Sequence, residues 1–166
     1  MSTPVSASIL TLTAVLAKFA RPWGAFMRLI LSLAILTLLA GCSSWRTAAD
    51  EVRSVPSERA LAYQQTLSNG GTLEVTRDSG GMGAGCYIAV KLDRQLAARI
   101  GTGEVLRLQV PAGTRVLGIG IDTQDDTLCG KGRLNRELAV KVSAGSQQRF
   151  RILSSNSKGF DIVALD

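Results

Sequence analysis

Three cysteines, a glycine run and a cluster of aspartates are the places where this 166-residue chain could do chemistry. There is no histidine, so the side chain most often used as a general base near neutral pH is missing. Serines are plentiful, but none stands in the Gly-x-Ser-x-Gly turn that exposes a nucleophile. Cys86 and Cys129 lie far apart, unlike the Cys-x-x-Cys of a thiol redox centre. Without histidine they also make a poor metal pair. Paired carboxylates are the remaining route to catalysis, and Asp122, Asp125 and Asp126 are the candidates for it. Calcium would need several more oxygens at defined spacing, with a turn glycine; Gln124 interrupts the cluster and no Glu is near, so it reads as a solvated loop. Gly80-Gly81-Met82-Gly83-Ala84-Gly85 comes after a strand-like segment, as phosphate loops do. A phosphate loop must open a helix whose amides face the anion. The segment after Gly85 is strand-like and lacks a Lys-Ser or Lys-Thr, so a flexible connection, a candidate lip of a binding surface, is expected. No catalytic, cofactor-binding or metal-binding residue is assigned on this basis.

The remaining cysteine, Cys42, ends an apolar run. Leu29 to Ala40 carries no charge, and Arg28 stands just before it. A positive flank, a short apolar core and small closing residues are the parts of a secretory leader. Twelve residues fall short of the roughly 20 that a spanning helix needs. Leu39-Ala40-Gly41-Cys42 resembles the lipobox of bacterial lipoproteins at all four positions. The resemblance implies a diacylglycerol on the Cys42 thiol, cleavage between Gly41 and Cys42, and acylation of the new amino terminus. One acyl chain holds a protein marginally and two hold it stably, so a lipoprotein of this kind is expected to stay on the membrane. Ser43, in place of an inner-membrane-retaining Asp, implies the outer membrane, facing the periplasm. Residues 1–26 fit a leader poorly, whereas Met27-Arg28 begins a compact one, so translation is expected to start at Met27.

The expected organisation is a signal peptide over 1–41, a flexible tether over 42–55 and one domain over 56–166. Of the 19 Lys and Arg, three (Lys18, Arg21, Arg28) precede Cys42 and no acid does, leaving 16 against 13 acids, a balance of +3. Basicity that small, on an exported chain, gives little support to nucleic-acid binding. Export also places Cys86 and Cys129 in an oxidising compartment, where a structural disulfide between them is expected. Trp45, in the tether, has two readings: insertion at the membrane interface, where indoles are favoured, or packing on the domain.

Pro56 to Leu67 predicts one short helix, with Ser57 as N-cap, Leu61 and Leu67 toward the domain and Asn69-Gly70-Gly71 as its stop. From Thr72 the hydrophobic period becomes two. Leu73, Val75 and Arg77 share one face; Cys86, Ile88, Val90 and Leu92 another. Leu106, Leu108 and Val110 point inward, as do Leu117, Ile119 and Ile121, Leu138, Val140 and Val142, and Phe150 and Ile152, the last pair with Arg149 and Arg151 on the opposite face. Two similar turns, Val110-Pro111-Ala112-Gly113-Thr114 and Val142-Ser143-Ala144-Gly145-Ser146, read as hairpins. Seven or eight short strands with turns between them predict a mainly β chain folded as a small antiparallel β-sandwich. Cys86 to Ile121 resembles the small periplasmic PEGA-like β-sandwich modules. The resemblance rests on the strands Tyr87 to Leu92, Leu96 to Ile100 and Val105 to Val110, the Asp93 turn and Pro111 to Gly113, without the Gly such modules often place after Asp93.

These readings converge on a non-enzymatic, lipid-anchored envelope lipoprotein that binds an envelope protein or glycan. A carbohydrate- or peptidoglycan-binding module is the alternative, and a carboxylate-dependent hydrolase a remote one.

Overall fold

The structure, a computed structural model, describes residues 43–125 and 128–165. The leader, Met27, the Leu39–Cys42 box with Gly41 and Cys42, and Asp126 lie outside the described residues. The described chain is mainly β, in two sheets. Nine strands occur among the described residues: β1 Arg53–Ser54, β2 Gly70–Arg77, β3 Ile88–Leu92, β4 Gln95–Ile100, β5 Glu104–Pro111, β6 Gly113–Ile121, β7 Asn135–Val142, β8 Gln147–Ser155 and β9 Gly159–Leu165. One sheet has the order β1-β5-β2-β8-β9, the other β4-β3-β6-β7.

Period-two alternation builds the core. Register places Leu73 opposite Leu108, and Val75 between Leu106 and Phe150, on one face of the first sheet. In the second sheet Val90 meets Ile119 and Leu92 meets Leu117. All of these are at most 2% exposed and belong to one apolar cluster. Fully burying a side chain of this size contributes about 1.5–3 kcal/mol. Arg149 and Arg151 fall on the face opposite Phe150 and Ile152.

The expected antiparallel pairing needs correction, because β1–β5 and β2–β8 pair parallel. Parallel pairs need crossover connections rather than tight hairpins. Accordingly Pro111-Ala112 and Ser143–Ser146 are not hairpins; each carries the chain from one sheet to the other, β5 to β6 and β7 to β8. Both bends close on Asn69–Gly71: the Ala112 amide donates to the Asn69 carbonyl (3.2 Å) and the Gly145 amide to the Gly70 carbonyl (2.7 Å). A Cβ on Gly71 would lie 2.8 Å from the Ser143 carbonyl oxygen. Asn69-Gly70-Gly71 is therefore not a helix stop but the close-packed start of β2.

The helix expected over 56–67 is reduced to one 3-10 turn, Ser57–Arg59, in which Ser57 does not cap. Isolated helices this short are marginal, and the sheet edge competes for the same backbone. Leu61 and Ala62 donate their amides to the Ala97 carbonyl at 2.8 and 3.0 Å, and Ala60 bridges Ala98. Tyr63 then takes φ +61°, so Leu61 and Leu67 stay 46% and 38% exposed. Residues 43–55 are not a free tether either. Ser44 bonds Ser154, Trp45 bonds Ser79, Thr47 is buried, and β1 pairs with β5. Residues 53–62 form a strap from the edge of one sheet to the edge of the other, covering backbone that would otherwise invite further strands.

Candidate functional site

The second sheet presents a basic outer face. Period two puts Lys91 there, opposite Gly118 of β6, and Gly118 in turn opposite Glu137 of β7. Gly120, on the same face, has no side chain to fill its space. The Lys91 ammonium lies 3.1 Å from where a Cβ at Gly120 would stand. Beside these residues lies an open cleft of about 810 Å³ lined by Lys91, Arg94, Thr123, Arg133, Arg136 and Glu137. Arg94 pairs with Glu137 at 3.5 Å, both well exposed, and such a pair contributes little. Arg136 pairs with Ile119, on the opposite parity, and its guanidinium turns toward the first sheet, 4.0 Å from Asp161 of β9. Around this cleft the cations outnumber the acids, an arrangement suited to an anionic group.

At the adjoining pole, arginines hold the acids. Arg77 is 1% exposed, yet among the described residues no carboxylate lies within hydrogen-bond reach of its guanidinium. It donates instead to the carbonyls of Cys86 (2.6 Å), Gly83 (2.7 Å) and Ile100 (3.0 Å), and lies 5.3 Å from the centre of the Phe160 ring. Burial lowers its pKa to about 10, against the opposing pull of Glu104. Its planar fork suits three divergent carbonyls, which a lysine cannot match. The glycine run is thus held from inside: Gly83 takes φ +61°, and a Cβ there would be 3.0 Å from Phe160. The run opens no helix, since β3 begins at Ile88.

Arg59 grips Glu104 through two bonds, 2.7 and 2.5 Å, and also reaches the Arg99 carbonyl at 2.8 Å. The Gly101 amide donates to Glu104 at 2.6 Å. Burial pushes the Glu104 carboxyl up, but these donors outweigh it and hold the group below its ordinary value. Arg59 and Arg99 stand 4.4 and 5.1 Å from the ring centre of half-exposed Tyr87. Arg151 pairs with buried Asp78 (Nε to Oδ1, 3.0 Å), and the bond to Asp78 raises the Arg151 pKa despite burial.

Asp122 is fully buried at its side chain; Arg99 holds one oxygen at 2.6–2.7 Å and the Gln124 amide donates to the other at 3.1 Å. It anchors the loop instead of presenting a free carboxylate. Asp125 donates its amide to the Asp122 carbonyl at 3.2 Å. Among the described residues no three His, Cys, Asp or Glu gather as a metal site. Cys86 and Cys129 form a disulfide with Cα atoms 5.5 Å apart, joining the end of the glycine run to the short 3-10 turn Leu128–Lys131. Among the described residues no helix is long and apolar enough to cross a membrane.

The residues that shape these sites, Arg77, Glu104, Lys91 and Tyr87, do not stand out as candidates in the sequence. Two carry a readable signal: Arg77 and Glu104 occupy core parity on β2 and β5, in line with Leu73–Val75 and Leu106–Leu108. Two charges on core parity of neighbouring strands are expensive unless each is satisfied, and satisfaction of that kind marks an organising centre. No protein-family model, curated protein or solved structure matches this chain.

Proposed function

We propose that this protein is a non-enzymatic, lipid-anchored β-sandwich module of the bacterial envelope, held through Cys42 on the periplasmic face of the outer membrane, and that it binds an anionic envelope partner. The anchor rests on the Leu39–Cys42 box; the sandwich reading rests on two sheets enclosing one apolar cluster. The observation that carries the binding role is the basic cleft, where Lys91 and Arg133 stand without a carboxylate partner among the described residues. The acids at the adjoining pole, Glu104, Asp78 and Asp122, are bonded to arginines, which favours a structural role for them over acid–base work. A peptidoglycan-binding module is the second reading, favoured by the same cations, which suit glycan-borne carboxylates. Tyr87 is a poor sugar platform, because two guanidiniums crowd its ring.

The test is in-cell photo-crosslinking from position 123, at the cleft wall, in the lipidated protein. A reproducible protein adduct, lost in the double variant Lys91→Glu/Arg133→Glu, is the expected result. Capture of peptidoglycan fragments alone favours the second reading. No adduct above the charge-reversed control contradicts both.

A further inference from the structure

We infer that the pole of the domain carrying Trp45 is seated on the lipid bilayer, so that the anchor orients the domain as well as retaining it. This rests on the lipidation of Cys42 proposed above.

The chain is fastened to the domain almost at once after Cys42. The Ser44 amide donates to the Ser154 carbonyl at 3.0 Å, and the Ser154 amide donates to the Ser44 hydroxyl at 2.8 Å. Ser44 lies so close to the glycine run that a Cβ on Gly80 would stand 2.9 Å from its Cα. Two residues reach at most about 7 Å. An acylated Cys42 has its glycerol at headgroup level, so Ser44 is held within one short span of that level and the domain has no slack with which to stand off.

The surface of this pole fits a bilayer. Trp45 is 62% exposed, more than any other large hydrophobic side chain among the described residues. Its backbone is bridged to Ser79 in both directions, at 2.8 and 3.1 Å. The indole is therefore held out from a fixed backbone instead of hanging on a loose tail, and an indole is favoured at the membrane–water interface. The β8–β9 turn and the 3-10 turn Leu128–Lys131 lie at the same pole. Exposed Arg46, Lys131 and Lys158 stand there to meet anionic headgroups. Among the described residues of this pole Asp50 and Glu51, on the turn before β1, are exposed acids; Asp78 and Asp122 are bonded to arginines. Seating this pole turns the opposite one, with the Asn69–Gly71, Pro111-Ala112 and Ser143–Ser146 bends, away from the membrane.

The chain carries its own probe. Of its two tryptophans, Trp23 precedes Cys42, so processing leaves Trp45 alone in the mature protein. Lipidated protein would be reconstituted into vesicles of phosphatidylethanolamine and phosphatidylglycerol, with the mass of its amino-terminal peptide measured on the same sample. The expected result is blue-shifted Trp45 emission, quenched by brominated acyl chains and protected from acrylamide. Inserting a flexible Gly-Ser segment of about ten residues between Cys42 and Ser43, long enough to reach about 17 Å, should return the emission toward that of an exposed indole. Acylated Cys42 with Trp45 open to acrylamide and untouched by bromolipid overturns the seating and leaves the anchor standing. Unchanged quenching in the insertion variant overturns the part assigned to the short span. An unacylated Cys42 removes the anchor, and the seating with it.

Discussion

Arg77 is the residue on which the pole carrying the glycine run depends. Its cost at neutral pH is real, because burial disfavours the charged form and draws its pKa down to about 10. A base with a depressed folded pKa adds stability only above its unfolded value, and that gain is lost as pH falls through about 10, so near neutrality the full penalty applies. Three carbonyl bonds and the Phe160 ring offset it. Arg77→Ala would orphan those carbonyls, and a loss of about 3 kcal/mol in urea unfolding is expected. Arg77→Lys should recover less than half, since an ammonium cannot span the three acceptors. Glu104 runs the opposite way. Its folded pKa lies below the ordinary value, so its contribution is present above about pH 4.3 and is lost as pH falls below it, through the folded pKa. Glu104→Gln should flatten that part of the stability–pH curve while lowering stability at pH 7. Equal acid sensitivity in the variant and the parent protein would contradict this assignment.

At the scale of elements, turns decide more than strands. The β3–β4 hairpin turns through Asp93 and Arg94 with φ +49° and +67°, the doubly left-handed geometry that favours Asn-Gly or Asp-Gly. Asp93 offsets its strain by accepting the Val116 amide at 2.9 Å; Arg94 gives only an exposed pair with Glu137. Arg94→Gly is therefore expected to stabilise the domain by about 0.5–1 kcal/mol, read as a raised Tm. The disulfide closes a span of 43 residues, for which chain entropy predicts about 4 kcal/mol; Cys86→Ser/Cys129→Ser should lose most of that in equilibrium unfolding. Strand positions and inward faces are legible in the sequence, because a period of two is a local signal that one buried face reinforces. Connectivity is not. Pro111–Gly113 and Ser143–Gly145 have the composition of hairpin turns, and nothing local distinguishes a bend that stays in its sheet from one that crosses to the other. The helix expected over 56–67 fails for a related reason. Its helix formers carry propensities of tenths of a kcal/mol each, while a sheet edge with the Ala97 carbonyl open offers the same amides fixed partners.

For the whole molecule, a sequence signal and a structural one act together. In the proposed reading the Leu39–Cys42 box supplies the address, while the fastening of Ser44 and Trp45 removes the slack expected of a tether. Under that proposal the domain has a membrane pole, a free pole and a basic cleft beside its second sheet. The cleft is not legible in the sequence, because Lys91, Arg133 and Glu137 come from different strands and a loop and meet only in the folded sheet. Gly120→Ala should crowd the Lys91 ammonium, 3.1 Å from the new methyl, and weaken partner capture with little change in fold. All of this stands on the anchor. The most direct measurement is the mass of the amino-terminal peptide of the protein isolated from fractionated outer membranes. The expected peptide begins at Cys42 and carries a thioether-linked diacylglycerol and an amide-linked acyl chain. A peptide with a free Cys42 thiol, recovered from the soluble fraction, would contradict the lipid anchor.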